Sequence, residues 1–130
     1  MDTIEWIILV TDHYDESRKF YRDVLELPIK REAREEEFSQ FRLKNCFLAI
    51  YGRNAVESLV GNEYVGKAGG AIYTFAEVGD VDAIYTSLMK KGVRFVQPPK
   101  TQPWGQRTAY FTDPDGHMWE IQQWIEKPSL

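Results

Sequence analysis

The chain repeats itself. When the sequence is slid along itself by 68 positions, Val10 falls on Val78, Asp12 on Asp80, Phe20 on Leu88, Leu25 on Val93 and Leu27 on Phe95. Each match pairs apolar with apolar or one turn aspartate with another. Self-similarity of this kind marks a fold built from two copies of one supersecondary unit. The alternative is an unrelated α+β sandwich with accidental symmetry.

The patterning inside each copy says what that unit is. Ile4–Val10 is rich in β-branched and large apolar residues and reads as a strand with a buried face, stopping at Thr11-Asp12. From Asp15 the period changes: Phe20, Tyr21, Val24 and Leu25 share one helical face, while Arg18, Lys19, Arg22 and Asp23 fall elsewhere. Pro28 closes the helix region, and Ile29–Arg31, Phe38–Leu43 and Cys46–Tyr51 read as strands separated by a Glu-rich turn and by Lys44-Asn45. After a Gly-rich irregular stretch the order returns. Ala71–Val78 reads as a strand and Asp80 as an N-cap; Val81, Ile84, Tyr85 and Leu88 form a helical stripe, and Gly92 takes the left-handed C-terminal position. Val93–Val96, Arg107–Thr112 and Met118–Trp124 follow as strands, the last two joined by Asp113-Pro-Asp-Gly116. Both halves run β-α-β-β-β.

Composition limits what such a fold can serve. A length of 130 residues suits one domain at the usual one per roughly 100–200 residues, with 43% apolar and 14% aromatic residues to build its core. Sixteen basic against twenty acidic side chains give a net charge of −4, which supplies no phosphate-tracking surface, so neither nucleic acid nor an anionic membrane is an expected partner. The longest apolar run, Cys46–Tyr51, falls far short of the roughly 20 residues that span a bilayer. The start has no basic segment before an apolar stretch, and the single cysteine cannot form an internal disulfide, so a cytoplasmic location is expected. One cysteine and two histidines cannot build a structural zinc site, and any metal would need carboxylates.

The segment Pro103-Trp-Gly-Gln-Arg-Thr-Ala-Tyr-Phe-Thr-Asp-Pro-Asp-Gly-His-Met-Trp-Glu-Ile-Gln122 resembles the glyoxalase, bleomycin-resistance and extradiol-dioxygenase superfamily, also called vicinal oxygen chelate. Asp15-Glu-Ser-Arg-Lys-Phe-Tyr-Arg-Asp-Val-Leu-Glu-Leu27 is similar to that family's first helix. The resemblance implies an α+β fold of one domain over 1–130. Two βαβββ modules, about 1–55 and 68–126, would form a curled mixed sheet around a central cleft with helices outside. It also implies a homodimer.

In metal-binding members the resemblance places ligands at four related strand positions. Counted on this chain they are Glu5, Tyr73, Glu120, and Ala49 or, with a shifted hairpin, Leu48. Two carboxylates are fewer than the three protein ligands a catalytic divalent site usually needs, so no metal is expected; Glu5 and Glu120 would hold one if present. His117 and Glu120 fall on opposite faces of a strand. His13 reads as a solvated helix-start residue and Cys46 as a small buried hydrophobe.

If Glu5, Tyr73 and Glu120 point into the cleft, alternation also points Ile7, Leu9, Phe75, Met118 and Gln122 inward and sends Trp6 and Trp119 beneath the helices. Trp104 and Arg107 lie where bleomycin-resistance-like members carry a Trp-Gly-x-Arg segment near the groove. Trp104 either stacks on a ligand or packs on the neighbouring module; Arg107 either meets substrate or pairs with an acid such as Glu120 or Glu5. The expected function is metal-free binding of a small, drug-like or amphipathic molecule, with Glu5, Ile7, Tyr73, Phe75, Trp104, Arg107, Met118 and Glu120 as ligand contacts. The alternative is an enzyme: a lyase or dioxygenase with a divalent ion on Glu5 and Glu120, or a metal-free isomerase with Glu120 as base.

Overall fold

A computed structural model describes residues 1–127; the last three residues of the expected domain lie outside them. The chain forms two compact units, the first from Met1 to Ala68 and the second from Gly69 onward. Each carries one mixed four-stranded sheet, an α+β architecture in which both halves follow the expected β-α-β-β-β order.

In the first unit β1 (Trp6–Thr11) leads through α1 (Tyr14–Lys19), extended by a π turn over Phe20–Val24, to β2 (Ile29–Ala33), β3 (Phe38–Arg42) and β4 (Phe47–Gly52). The sheet order is β1-β4-β3-β2, with β1 parallel to β4 and the rest antiparallel. The apolar stripe read from the sequence docks this helix: Tyr21 and Phe41 are both fully buried with ring centroids 5.8 Å apart. Polar groups on the same face are satisfied. Thr11 donates to Ser17 at 3.1 Å, and the hydroxyls of Tyr14 and Ser39 lie 2.6 Å apart. Arg18 reaches over to make a two-pronged contact with Glu32 at 2.5 and 2.9 Å.

The second unit repeats the plan with β5 (Ile72–Thr74), α3 (Val81–Lys90), β6 (Arg94–Thr101), β7 (Gln106–Thr112) and β8 (Met118–Trp124), ordered β5-β8-β7-β6. Asp80 caps α3 by accepting from the Ala83 backbone N–H at 3.0 Å, and Gly92 sits at φ +84° where the helix ends. The side chain of Asp113 accepts from the backbone N–H groups of Asp115 and His117, closing the β7–β8 turn. Trp119, Ile121, Ala109 and Phe111 are buried, with Phe75 stacked on Trp119 at 4.8 Å.

Three segments depart from the sequence reading. The stretch read as irregular holds a helix, α2 (Arg53–Val60), with no buried residue. Ala55, Val56, Leu59 and Val60 recur at helical spacing, a signal the sequence reading passed over, and Leu59 and Val60 stay exposed. The strand expected over Ala71–Val78 is paired only over Ile72–Thr74. Phe75 and Val78 donate to Glu120 and Gln122, so this chain advances three residues while its partner advances two, which breaks the ladder. Strand β6 runs on past Val96 through Pro98 and Pro99. It is an edge strand, where a missing N–H costs no ladder bond, and its register slips across these residues.

Candidate functional site

Each sheet has one face packed by its crossover helix and one face turned away from it. In β1 the helix-packed set is Ile7, Leu9 and Thr11, since Leu9 and Thr11 are buried while Ile8 is 50% exposed. Trp6, Ile8 and Val10 therefore occupy the far face. The expected register is thus one residue out: the far-face position nearest the start of β1 belongs to Trp6. Glu5, exposed just before the strand, has the parity of Ile7 and Leu9. The same correction applies to β5. Tyr73 and Phe75 contact Trp119 on the helix-packed face, and Thr74 takes the far-face position. In β8 the expected register stands, with Met118, Glu120 and Gln122 on the far face and Trp119 beneath the helix.

Pairing makes the two units comparable position by position. Strands β1 and β4 set Trp6 beside Phe47, and β5 and β8 set Thr74 beside Glu120. In the first unit that pair is two rings with centroids 5.4 Å apart. In the second it is a hydrogen bond, Thr74 donating to Glu120 at 2.8 Å.

The far face of the second unit is a chain of hydrogen bonds. Gln102 donates to Thr108 at 3.0 Å, and Tyr110 stands on the same face, opposite Glu120 in the pairing of β7 with β8. Burial first, and then the neighbouring Glu120 carboxylate, push the Tyr110 phenol above its ordinary pKa. A second chain runs from the Trp104 indole N–H to Gln106, from Gln106 to Gln122, and from Gln122 to the Phe75 carbonyl. Beside these groups lies a depression of about 680 Å³ lined by Gly69, Gly70, Ala71, Ile72, Val96, Gln97, Tyr110 and Met118. Its size falls within the range of small-molecule pockets.

The far face of the first unit is aromatic. Trp6, Phe38, Phe47 and Tyr51 form a run of ring contacts at 5.3 to 6.3 Å. Lys30 and Arg42 lie over the Phe47 ring and Arg31 over Phe38. Consecutive residues of a flat strand point to opposite faces, yet Lys30 and Arg31 reach the same one. The register shift between Ile29 and Arg31 makes this possible, because a bulge sets two residues against one.

The remaining expected site residues separate. Arg107 faces α3, where it grips Asp82 at 2.6 and 2.8 Å and donates to Thr101. Its partner is therefore neither Glu120 nor Glu5, and its guanidinium holds the Asp82 carboxyl below its ordinary pKa. Trp104 lies in the turn between β6 and β7, 54% exposed. His13 stands at the N-terminus of α1 and His117 in the β7–β8 turn. Among the described residues no three His, Cys, Asp or Glu side chains come together. Glu120 accepts instead from the Thr74 hydroxyl.

Sequence reasoning missed Thr74, Tyr110, Thr108 and the rings around Trp6. The run Cys46–Tyr51 is apolar on both faces, so alternation carried no parity signal there.

Two βαβββ units of this kind define a paired-module α+β protein, and the comparisons with known proteins agree on which. The sequence profile of the Glyoxalase/Bleomycin resistance protein/Dioxygenase superfamily matches residues 3–121, and the chain belongs to that superfamily. It is 32% identical to the uncharacterized protein YraH of Bacillus subtilis (strain 168), over 92% of this chain and 96% of that one. The crystal structure of a glyoxalase/bleomycin resistance protein/dioxygenase from Nocardioides matches with a TM-score of 0.81 at 25% identity, covering 100% of this chain and 89% of that one. A protein of unknown function from Agrobacterium tumefaciens str. C58 matches with a TM-score of 0.73 at 30% identity, over 94% and 93%. No helix among the described residues is long and apolar enough to cross a membrane.

Proposed function

We propose that this chain is a metal-free small-molecule binding protein, and that the far face of each sheet, taken by itself, is a surface for a planar amphipathic compound. One observation carries the reading: the depression lined by Ile72, Val96 and Met118 is also lined by Tyr110, whose cross-strand partner is Glu120. Apolar walls with a few fixed polar groups are what a small organic ligand needs. Glu120 anchors the polar part of the ligand, and Trp104 supplies a ring at the edge of the sheet. The metal-free part rests on the donor set, in which the pair matching Thr74 and Glu120 is Trp6 and Phe47.

The test is a ligand-observed NMR screen of planar amphipathic fragments, followed by calorimetry on wild type and on Tyr110→Phe. Saturable binders weakened by the loss of the hydroxyl support the reading; a screen without saturable binders removes it. Stoichiometric divalent metal in protein purified without chelators removes the metal-free part. We also propose a homodimer, because Leu59, Val60 and Tyr64 leave apolar surface to be covered; sedimentation at monomer mass at micromolar concentration rejects it. The lone cysteine suits a reducing, cytoplasmic compartment.

A further inference from the structure

Among the described residues five arginines lie against acids: Arg18 on Glu32, Arg22 on Asp23, Arg34 on Asp15, Arg53 on Asp12 and Arg107 on Asp82. Lys30 and Arg42 do not. Both are exposed, and among the described residues neither has a carboxylate within salt-bridge distance. Their charges lie over one ring instead, with Lys30 Nζ 4.2 Å and Arg42 Cζ 5.9 Å from the centroid of Phe47. The electron-rich ring face attracts each cation, while the two cations repel each other. In a chain of net charge −4, this is a local concentration of unneutralised positive charge on an aromatic surface.

We propose that the far face of the first unit selects an aryl carboxylate. The ring of the ligand lies against Trp6 and Phe47, and its carboxylate sits between Lys30 and Arg42. Both halves of that ligand are answered by groups already in place. The half-buried rings of Trp6 and Phe47 offer a tilted stacking surface, and the guanidinium offers paired N–H donors that match a carboxylate. The bulge in β2 is what delivers Lys30 to this face. The equivalent slip in β6, between Phe95 and Gln97, delivers Val96 and Gln97 beside Tyr110 in the second unit. One backbone device thus presents cations in one module and neutral groups in the other. Glu36 borders the opposite end of the aromatic face, beside Arg31, Phe38 and Tyr51, whereas the Glu32 carboxylate is turned to Arg18 and Ser39. An anion is therefore directed to the Phe47 end.

This inference rests on the reading that the far faces bind a small molecule, and the test separates the two. Binding of naphthalene-2-carboxylate, 2-naphthamide and 2-naphthylmethylamine is measured by calorimetry at low salt, with backbone amide shifts of Trp6 and Phe47 locating the site. The expected order is carboxylate, then amide, then amine, with about tenfold between first and last. The Lys30→Ala, Arg42→Ala double variant, whose changes are at exposed positions, should unfold in one cooperative transition like wild type and lose the preference for the carboxylate over the amide. Raising the salt should narrow that preference in wild type. An amine that binds as tightly as the carboxylate overturns the charge selection and leaves the binding reading standing. So does a preference that survives in the double variant, which would put the anion elsewhere. If none of the three probes binds, this proposal fails, and the fragment screen decides the fate of the broader reading.

Discussion

Thr74 Oγ1 donates to Glu120 Oε1 at 2.8 Å across two parallel strands, and Tyr110 is the partner of Glu120 on the neighbouring antiparallel strand. Thr74→Val should therefore lower the affinity for fragments that sit beside Tyr110 more than it lowers stability. Thr74 is exposed, so a stability loss of about 1 kcal/mol or less is expected from one hydrogen bond. Urea unfolding and calorimetry on one preparation check both halves.

The Arg18–Glu32 contact makes part of the stability depend on pH. Hydrogen bonding by Arg18, then by Ser39, holds the Glu32 carboxyl below its ordinary 4.5 despite partial burial. A depressed folded-state value means that the contribution is complete above the unfolded value and is lost as pH falls through the folded one. Wild type should lose stability from just above pH 4.5 downward, and Glu32→Gln should be less stable at neutral pH and show a shallower acid loss. Unfolding free energies at pH 7, 4 and 3 (about the carboxylate range) test it; parallel curves would reject it.

Gly105 has φ +94°, and a Cβ there would collide with the Glu126 carbonyl oxygen. That oxygen belongs to the chain that returns to donate its Ile125 and Glu126 N–H groups to Gly105. Gly105→Ala should cost at least about 1–3 kcal/mol from backbone strain alone. A neutral effect in urea unfolding would mean that this crossing opens readily.

The two tryptophans Trp104 and Trp119 should part company on truncation. Trp119 is 3% exposed beneath α3 and Trp104 is 54% exposed in a turn. Trp119→Ala should cost roughly 3–5 kcal/mol. Trp104→Ala should cost about 1 kcal/mol or less in stability and weaken stacking ligands by a similar amount. A large stability loss at Trp104 with unchanged affinity would remove it from the binding surface.

The order of elements, the repeat and the docking stripe Phe20, Tyr21, Val24 and Leu25 could be read from sequence, because apolar periodicity and turn chemistry are local. So could the register of β8, where the Asp113-to-Gly116 turn starts the count close to the strand. The register of β1 and β5 could not. Parity is set by which face a helix covers, and β1 and β4 carry large apolar groups on both faces, so Trp6 and Glu5 look interchangeable until Leu9 and Ile50 are seen packed together under α1. Only the tertiary structure decided that Trp6 and Phe47 stand where the other unit sets Thr74 and Glu120. The same holds for the bulge at Lys30, since pairing between distant strands leaves no mark on the residues beside it.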